Sequence, residues 1–364
     1  MAAEHEPETL KQAAWVLMCK DFIHARLTGE IRAELTDMSG TSLMNVGTGR
    51  YDDAVLAAFG IPYVRDLLPP LVGTADVCGR VTADAAAETG LAAGTPVAGG
   101  MFDIDACGLS SGMVDESQLC MVGGTWGNNQ YISRKPVVSP DVFMTSCYSI
   151  PGYYLMLEGS ATSASNLEWF VTEFFGAEKR EAERAGRSVW DVCNTLVAGA
   201  DPAASSIFFL PFLFGSNVSP DAKASLIGIK GWHTRGDVLR AIYEGIVFGH
   251  RVHVERLLKF RSMPDVIRLT GGAARSEVWV QAFADCLQTP MQVPDGTELG
   301  ALGAAMAAGV AAGCHAGYRE AVQAMVRFSR IQQPDPAKRD LYETKYRRYQ
   351  KVVAALDPVW KDLG

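Results

Sequence analysis

No apolar stretch of this sequence reaches the roughly 20 residues that a membrane-spanning helix needs; glycine and proline cut every long run. The start, Met1-Ala-Ala-Glu-His-Glu-Pro-Glu8, is acidic and has no apolar core of the kind a signal peptide carries. Of the 8 cysteines, none forms a CxxC pair. Several stand in apolar runs such as Gln118-Leu-Cys-Met-Val122, which suits buried, reduced thiols in a cytoplasmic protein. Positive charge is not in excess either. Lys and Arg total 33 against 41 Asp and Glu, for a net charge of −8. Such a chain repels phosphate backbones, so neither nucleic acid nor a membrane is expected as a partner. A small anionic substrate would need a local positive site. A Walker-type GxxxxGK[ST] loop is missing as well.

What is present is 364 residues, 48% hydrophobic and 20% charged, enough for two domains or one large one with a real core. The chain opens in a helical pattern, with Leu10, Ala13, Ala14, Leu17 and Met18 at helical spacing and no strand before it. A second helical stretch runs from Asp21 to Leu27 and stops at Thr28-Gly29. Residues 51–94 read as helices and loops, punctuated by Gly60, Pro62, Pro69-Pro70, Gly73 and Gly94. Short strands are expected over 95–100, 118–125 and 266–270, and an aromatic β-like run over 206–214. The strongest helix spans 237–260, with Val238, Ala241, Ile242, Gly245, Ile246 and Gly249 on one stripe and a start signal at Thr234 and Asp237. Helices are also expected after Ser276 and over 298–310, the latter built of small residues that let a backbone or ligand come close. The tail, 338–364, reads as an amphipathic helix packed on the surface.

Three glycine turns follow short strands: Gly99-Gly100, Gly123-Gly124-Thr125 and Gly271-Gly272-Ala273. Glycine there serves either a plain turn or the approach of backbone N–H groups to phosphate oxygens, and Thr125 adds a hydroxyl donor. Strand carboxyl ends are where α/β folds bind ligands. Asp103, just after the first turn, suits a general base for a hydroxyl proton. From spacing alone a helix N-cap is the better reading of it, and Asp105 competes for either role. His250 and His253 have no carboxylate at ligand spacing and read as core or groove histidines. Lys345, Arg347 and Arg348 read as a solvated helix face. The segment Gly296-Thr-Glu-Leu-Gly-Ala-Leu-Gly303 is a poor match to a dinucleotide fingerprint, with no convincing strand ahead of it, so an oxidoreductase is a weak alternative.

Several of these segments together resemble the FGGY carbohydrate kinases. Ala224-Ser-Leu-Ile-Gly-Ile229, followed after seven residues by Asp237-Val-Leu-Arg-Ala-Ile-Tyr-Glu244, fits that family's C-terminal signature. Thr270-Gly-Gly-Ala-Ala-Arg-Ser276 with Trp279 and Ala284-Asp285 resembles its adenosine-binding strand, loop and helix, and Glu298-Leu-Gly-Ala-Leu-Gly-Ala-Ala305 the small-residue helix beyond. Lys20-Asp-Phe-Ile-His-Ala-Arg-Leu-Thr-Gly-Glu30 and Thr36-Asp-Met-Ser-Gly40 resemble its first domain, and Gly123-Gly-Thr125 its second phosphate loop. Within the family, Leu68-Pro-Pro-Leu-Val-Gly-Thr-Ala-Asp76, Ser163-Ala-Ser-Asn-Leu-Glu-Trp-Phe170 and Phe209-Leu-Pro-Phe-Leu-Phe-Gly-Ser-Asn217 are similar to L-xylulose (3-keto-L-gulonate) kinases, with erythritol kinases alike in the same places.

The resemblance implies an α/β fold of two RNase H-like, actin/hexokinase-type domains about a cleft. The expected division is 1–112 on the sugar side, 113–317 on the nucleotide side and a helical tail over 318–364. It implies ATP-dependent phosphorylation of a sugar or polyol, with Mg²⁺ arriving on ATP. Asp103 is implied as the base, Thr125 as a phosphate ligand, and Ala164, Gly272 and Ser276 as the surround of ADP. Ala164 stands where Gly is more usual, and Ser276 where some members have Asn. A homodimer is among the expected assemblies. The likeness starts at Glu4-His-Glu-Pro7, beyond the family's opening Asp-x-Gly-Thr/Ser hairpin, so the first domain is expected to lack its leading strands. A kinase-like remnant that binds nucleotide and transfers nothing is the alternative.

Overall fold

A computed structural model describes residues 5–217 and 220–363; the first four residues of the acidic start and the last of the tail lie outside the described residues. The helices used below are α1 (Cys19–Thr28), α2 (Leu35–Gly40), α3 (Asp103–Ser110), α4 (Ala164–Phe174), α5 (Val189–Gly199), α6 (Arg235–Leu257), α7 (Glu277–Leu287), α8 (Leu299–Ala311), α9 (Tyr318–Met325) and α10 (Arg339–Trp360). The strands of the main sheet are β1 (Leu119–Gly123), β2 (Gly127–Ser133), β3 (Met144–Cys147), β4 (Tyr154–Ser160), β5 (Ile267–Thr270), β6 (Met291–Pro294) and β7 (Phe328–Gln332). Their spatial order is β7-β6-β5-β1-β2-β4-β3. The central strands β1, β5 and β6 are parallel, and antiparallel strands flank them on both sides.

Alternation along each strand divides the core. Leu119 and Met121 of β1, Met156 of β4 and Leu269 of β5 face one cluster with α6, α7 and α10. Cys120, Ile132 and Leu155 face the other with α3, α8 and α9. Helix α6 is the spine of the first layer. Thr234 and Asp237 close a capping box at its start, as the sequence predicts. It lies so close to the strand Phe208–Leu210 that a Cβ on Gly245 would sit 2.2 Å from the Phe209 carbonyl oxygen. In the second layer Gly303 of α8 meets the Ala106 carbonyl of α3 at the same range, so the small-residue helix does bring two backbones together. Residues 5–102 form no comparable sheet. Ala33–Glu34 pairs in parallel with Leu71–Val72, and Val77–Arg80 pairs antiparallel with Pro96–Ala98, which runs into Gly99-Gly100 and α3.

Several expectations need correction. The opening helix is only Pro7–Gln12; none of its residues is buried, and Val16 instead donates its N–H to the Leu67 carbonyl in an extended segment. The aromatic run is a strand only over Phe208–Leu210, because Pro211 cannot donate to a ladder. A strand, Met291–Pro294, does precede the 296–303 glycine segment. Lys345 is not solvated: it is buried and paired with Glu244, and its ammonium also donates to the Pro202 carbonyl at 2.9 Å. Arg347 and Arg348 are exposed as expected. His250 and His253 are satisfied core histidines. The first bonds Ser163 and Asn129 at 2.9 Å each, and the second bonds Glu158 at 2.7 Å. Burial, with His253 alongside, pushes the His250 imidazole down to about 3, so it is neutral.

Candidate active site

The register Leu269↔Met121 and Thr270↔Val122 sets the ends of β5 and β1 side by side. Their glycine turns then touch. Gly271 has φ +83°, and a Cβ there would lie 2.8 Å from the Gly123 carbonyl. Gly272 is different: a Cβ on it would meet only the Gly123 oxygen, at 3.9 Å. Of the pair, Gly271 is required by the fold, whereas Gly272 borders open space.

That space is a cavity of about 600 Å³ lined by Thr125, Ala164, Gly272 and Ser276. All four residues expected around a nucleotide therefore come together from segments far apart in the chain. The loop of Thr125 is stitched to α4. Ala164 donates its N–H to the Gly124 carbonyl at 2.8 Å, and the Thr125 carbonyl accepts from Ser163 N at 3.1 Å and Ser165 Oγ at 3.0 Å. The Thr125 side chain is exposed, and among the described residues its hydroxyl has no partner. Ser276 caps α7, accepting from Trp279 N at 3.2 Å. Sequence reasoning missed Trp190 and Asn194 of α5, Glu168 of α4, and Arg275, which share the lining. Nothing local marks a helix 80 residues upstream as a wall of this site.

Asp103 is not among the residues lining that cavity. It is the first residue of α3 and is exposed. The two carboxylates that compete in the sequence separate cleanly here. Asp105 is fully buried, and its Oδ1 accepts from the Ser149 N–H at 2.8 Å and hydroxyl at 2.9 Å. Burial, helped by the Glu34 charge, raises its carboxyl far above the usual range, which suits a neutral structural acid. Asp103 alone is open to a substrate. Its backbone is held from the front of the chain: the Phe102 N–H donates to Thr36 Oγ1 at 2.9 Å, and that hydroxyl donates to Glu34 at 2.7 Å. Glu34 also caps α2 through Thr36 N at 2.6 Å.

Lys20 supplies the local positive charge, with Asp21 at 2.6 Å and Glu34 and Asp37 both at 3.5 Å. Burial works to lower the Lys20 ammonium, but its three carboxylates outweigh this and the net shift is upward. Asp37 is raised, first by burial, with the charges of Asp21 and Asp103 adding to it. Burial takes Glu34 up to about 7 despite Lys20 and the bonds from α2.

A concave site at parallel-strand carboxyl ends, walled by glycine turns and standing apart from one exposed carboxylate on a neighbouring helix, defines a small-molecule enzyme with a nucleotide-sized cavity. Comparison with known proteins fixes the class. Residues 2–109 match the N-terminal domain, and residues 119–312 the C-terminal domain, of the FGGY family of carbohydrate kinases. The L-xylulose/3-keto-L-gulonate kinase of Escherichia coli is 38% identical over 97% of this chain and 69% of its own length. A probable L-xylulose kinase of Pasteurella multocida is 36% identical over 97% of the chain and 70% of its own. The crystal structure of xylulose kinase from Rhodospirillum rubrum superposes with a TM-score of 0.86 at 30% identity, over 99% of this chain and 71% of that one. This chain belongs to the FGGY family of carbohydrate kinases: an actin/hexokinase-like α/β enzyme that phosphorylates a small-molecule sugar with ATP. These matches take in nearly all of this chain, which spans about 70% of the length of each of the two relatives. Among the described residues no helix is long and apolar enough to cross a membrane.

Proposed function

We propose that the chain phosphorylates a hydroxyl of a ketopentose-type sugar, L-xylulose or 3-keto-L-gulonate, with Asp103 as the base. The observation that carries this reading is the separation of the two carboxylates, Asp103 exposed at the start of α3 and Asp105 buried and occupied by Ser149. The named relatives support the sugar assignment. ATP, when bound, supplies the γ-phosphoryl group and carries Mg²⁺ on its phosphates. The residues present suit it: the cavity is of nucleotide size, Gly272 leaves its wall open, and the Thr125 hydroxyl is free to donate. Among the described residues no group of three His, Cys, Asp or Glu gathers to hold a metal.

In this reading Thr125 donates to phosphate, and Ala164, Gly272 and Ser276 bound the nucleotide. Asp103 orients the sugar hydroxyl and takes its proton, the main demand that phosphoryl transfer makes of a side chain. Thr36, through Phe102, fixes where that carboxylate stands. The division at residues 112 and 317 belongs to the same proposal; α3 precedes the first boundary in the chain yet packs on the main sheet beyond it. So do a cytoplasmic location, which the buried free thiols Cys78, Cys120, Cys147, Cys193 and Cys286 suit, and a homodimer, to be checked by sedimentation. The test is ADP release with L-xylulose, 3-keto-L-gulonate, D-xylulose and erythritol in turn. The first two should give the highest kcat/KM; erythritol at the top would overturn the sugar assignment.

A further inference from the structure

Asn194 of α5 lines the nucleotide cavity, and its amide is held in one orientation. Ser276 Oγ accepts from Trp279 N at 3.2 Å and donates its proton to Asn194 Oδ1 at 2.7 Å. The Tyr243 hydroxyl donates to the same oxygen at 3.0 Å. With the amide turned round both protons would lose Oδ1 and would have only each other's hydroxyl oxygens to turn to. Oxygen is therefore consumed by protein, and Nδ2 keeps two donors with no protein acceptor among the described residues. The side chain is half-buried, so a ligand that closes the cavity without offering an acceptor would strand those donors.

The surroundings favour a flat heteroaromatic partner over a phosphate. Asp191, one turn earlier on α5, brings a carboxylate to the same wall, which an anion avoids. Tyr243 and Trp279 lie with ring centroids 4.5 Å apart beside it, and Trp190 stands at the rim. The glycine turns that suit phosphate belong to other segments, at Gly124 and Gly272. We infer that Asn194 reads the nucleobase, donating from Nδ2 to a ring-nitrogen acceptor of adenine, with Ser276 and Tyr243 as the residues that hold it in that orientation. The inference rests on the nucleotide-site reading above. It gives Ser276 a role beyond capping: it orients the amide that contacts the base.

Asn194→Asp is the test. An aspartate still accepts from Ser276 and Tyr243 but has no donor left. Binding is measured by competition against a fluorescent ADP analogue, with ADP and with ribose 5-diphosphate, which keeps the phosphates and lacks the base. ADP affinity should fall by about 10–100-fold, and ribose 5-diphosphate by no more than about twofold, since only the first loses a hydrogen bond to a desolvated donor. Equal losses on both ligands, or none, overturn the inference while leaving a nucleotide site in place. Failure of the unaltered chain to bind ADP overturns the site reading and this inference with it. If the variant melts far below the parent, Tyr243→Phe decides: it leaves the donor present and one anchor gone, and should cost ADP a few-fold and ribose 5-diphosphate nothing. A loss common to both ligands there also counts against the proposal.

Discussion

The two halves of the site are built from different materials. On the nucleotide side, backbone does the positioning: strand register makes Gly123 and Gly271 abut, and the Ala164 N–H closes on Gly124. On the Asp103 side, buried polar side chains do it. Lys20, Asp21, Glu34 and Asp37 form one charged cluster, and Thr36 carries its position across to Phe102. Backbone sites tolerate no Cβ in the wrong place but are indifferent to pH. Side-chain sites keep their shape under conservative substitution but depend on every proton. The two sides should therefore fail in different ways.

The largest effect is expected on the backbone side. Gly271→Val combines a left-handed φ with a clash against Gly123 backbone, and should destabilise the fold by roughly 3 kcal/mol or more, seen as a drop in melting temperature. Its neighbour sharpens the point. Gly272→Val should melt near the parent temperature yet bind ADP at least about tenfold more weakly in calorimetry, since its side chain enters the cavity. Equal melting losses at both positions would break the distinction. On the other side, Thr36→Val keeps volume and removes the hydroxyl that joins Glu34 to Phe102. It should lower kcat by about tenfold, worth about 1.4 kcal/mol, and leave the ADP Kd unchanged, separating the halves in one variant.

The smallest effect is on pH dependence. Burial raises Glu34 from 4.5 to about 7 in the folded chain. Between those values the folded state keeps a proton that the unfolded state has released, so stability from this group falls as pH rises through the window and is level outside it. Glu34→Gln cannot titrate, and its melting temperature should decline less than the parent's between pH 4.5 and 7. Buried Asp105 contributes a slope of the same sign, and losing the Glu34 charge weakens the upward push on it, so both changes flatten the variant's profile in the same direction.

The same contrast explains what could be read in the sequence. Strand, glycine pair, helix is a local pattern, so the turns at Gly123 and Gly271, the caps at Thr234 and Ser276 and the α6 stripe were legible. The meander of β2, β3 and β4 was not. Its first strand, Gly-Asn-Asn-Gln-Tyr-Ile-Ser, looks like a polar loop, yet Asn129 and Gln130 are fully buried, with Asn129 bonded to His250 and Gln130 to the Ile104 carbonyl. Thr36 meets Phe102 across 66 residues, and Ser276 meets Asn194 across 82; neither link leaves a periodic trace. Lys345 looked solvated because its partner, Glu244, lies on another helix. Asp103 and Asp105 were left tied because spacing cannot tell a buried carboxyl from an open one two residues away.

The account stands on Asp103 as the base, and kcat for two variants in the same assay tests it. Asp103→Asn keeps the shape and removes the proton acceptor; it should lose about 10²–10⁴-fold in kcat with ADP binding intact. Asp105→Asn replaces a carboxyl held neutral by burial with a neutral isostere and should be mild by comparison. Near-normal kcat for Asp103→Asn, or abolished turnover in a folded Asp105→Asn, would contradict it.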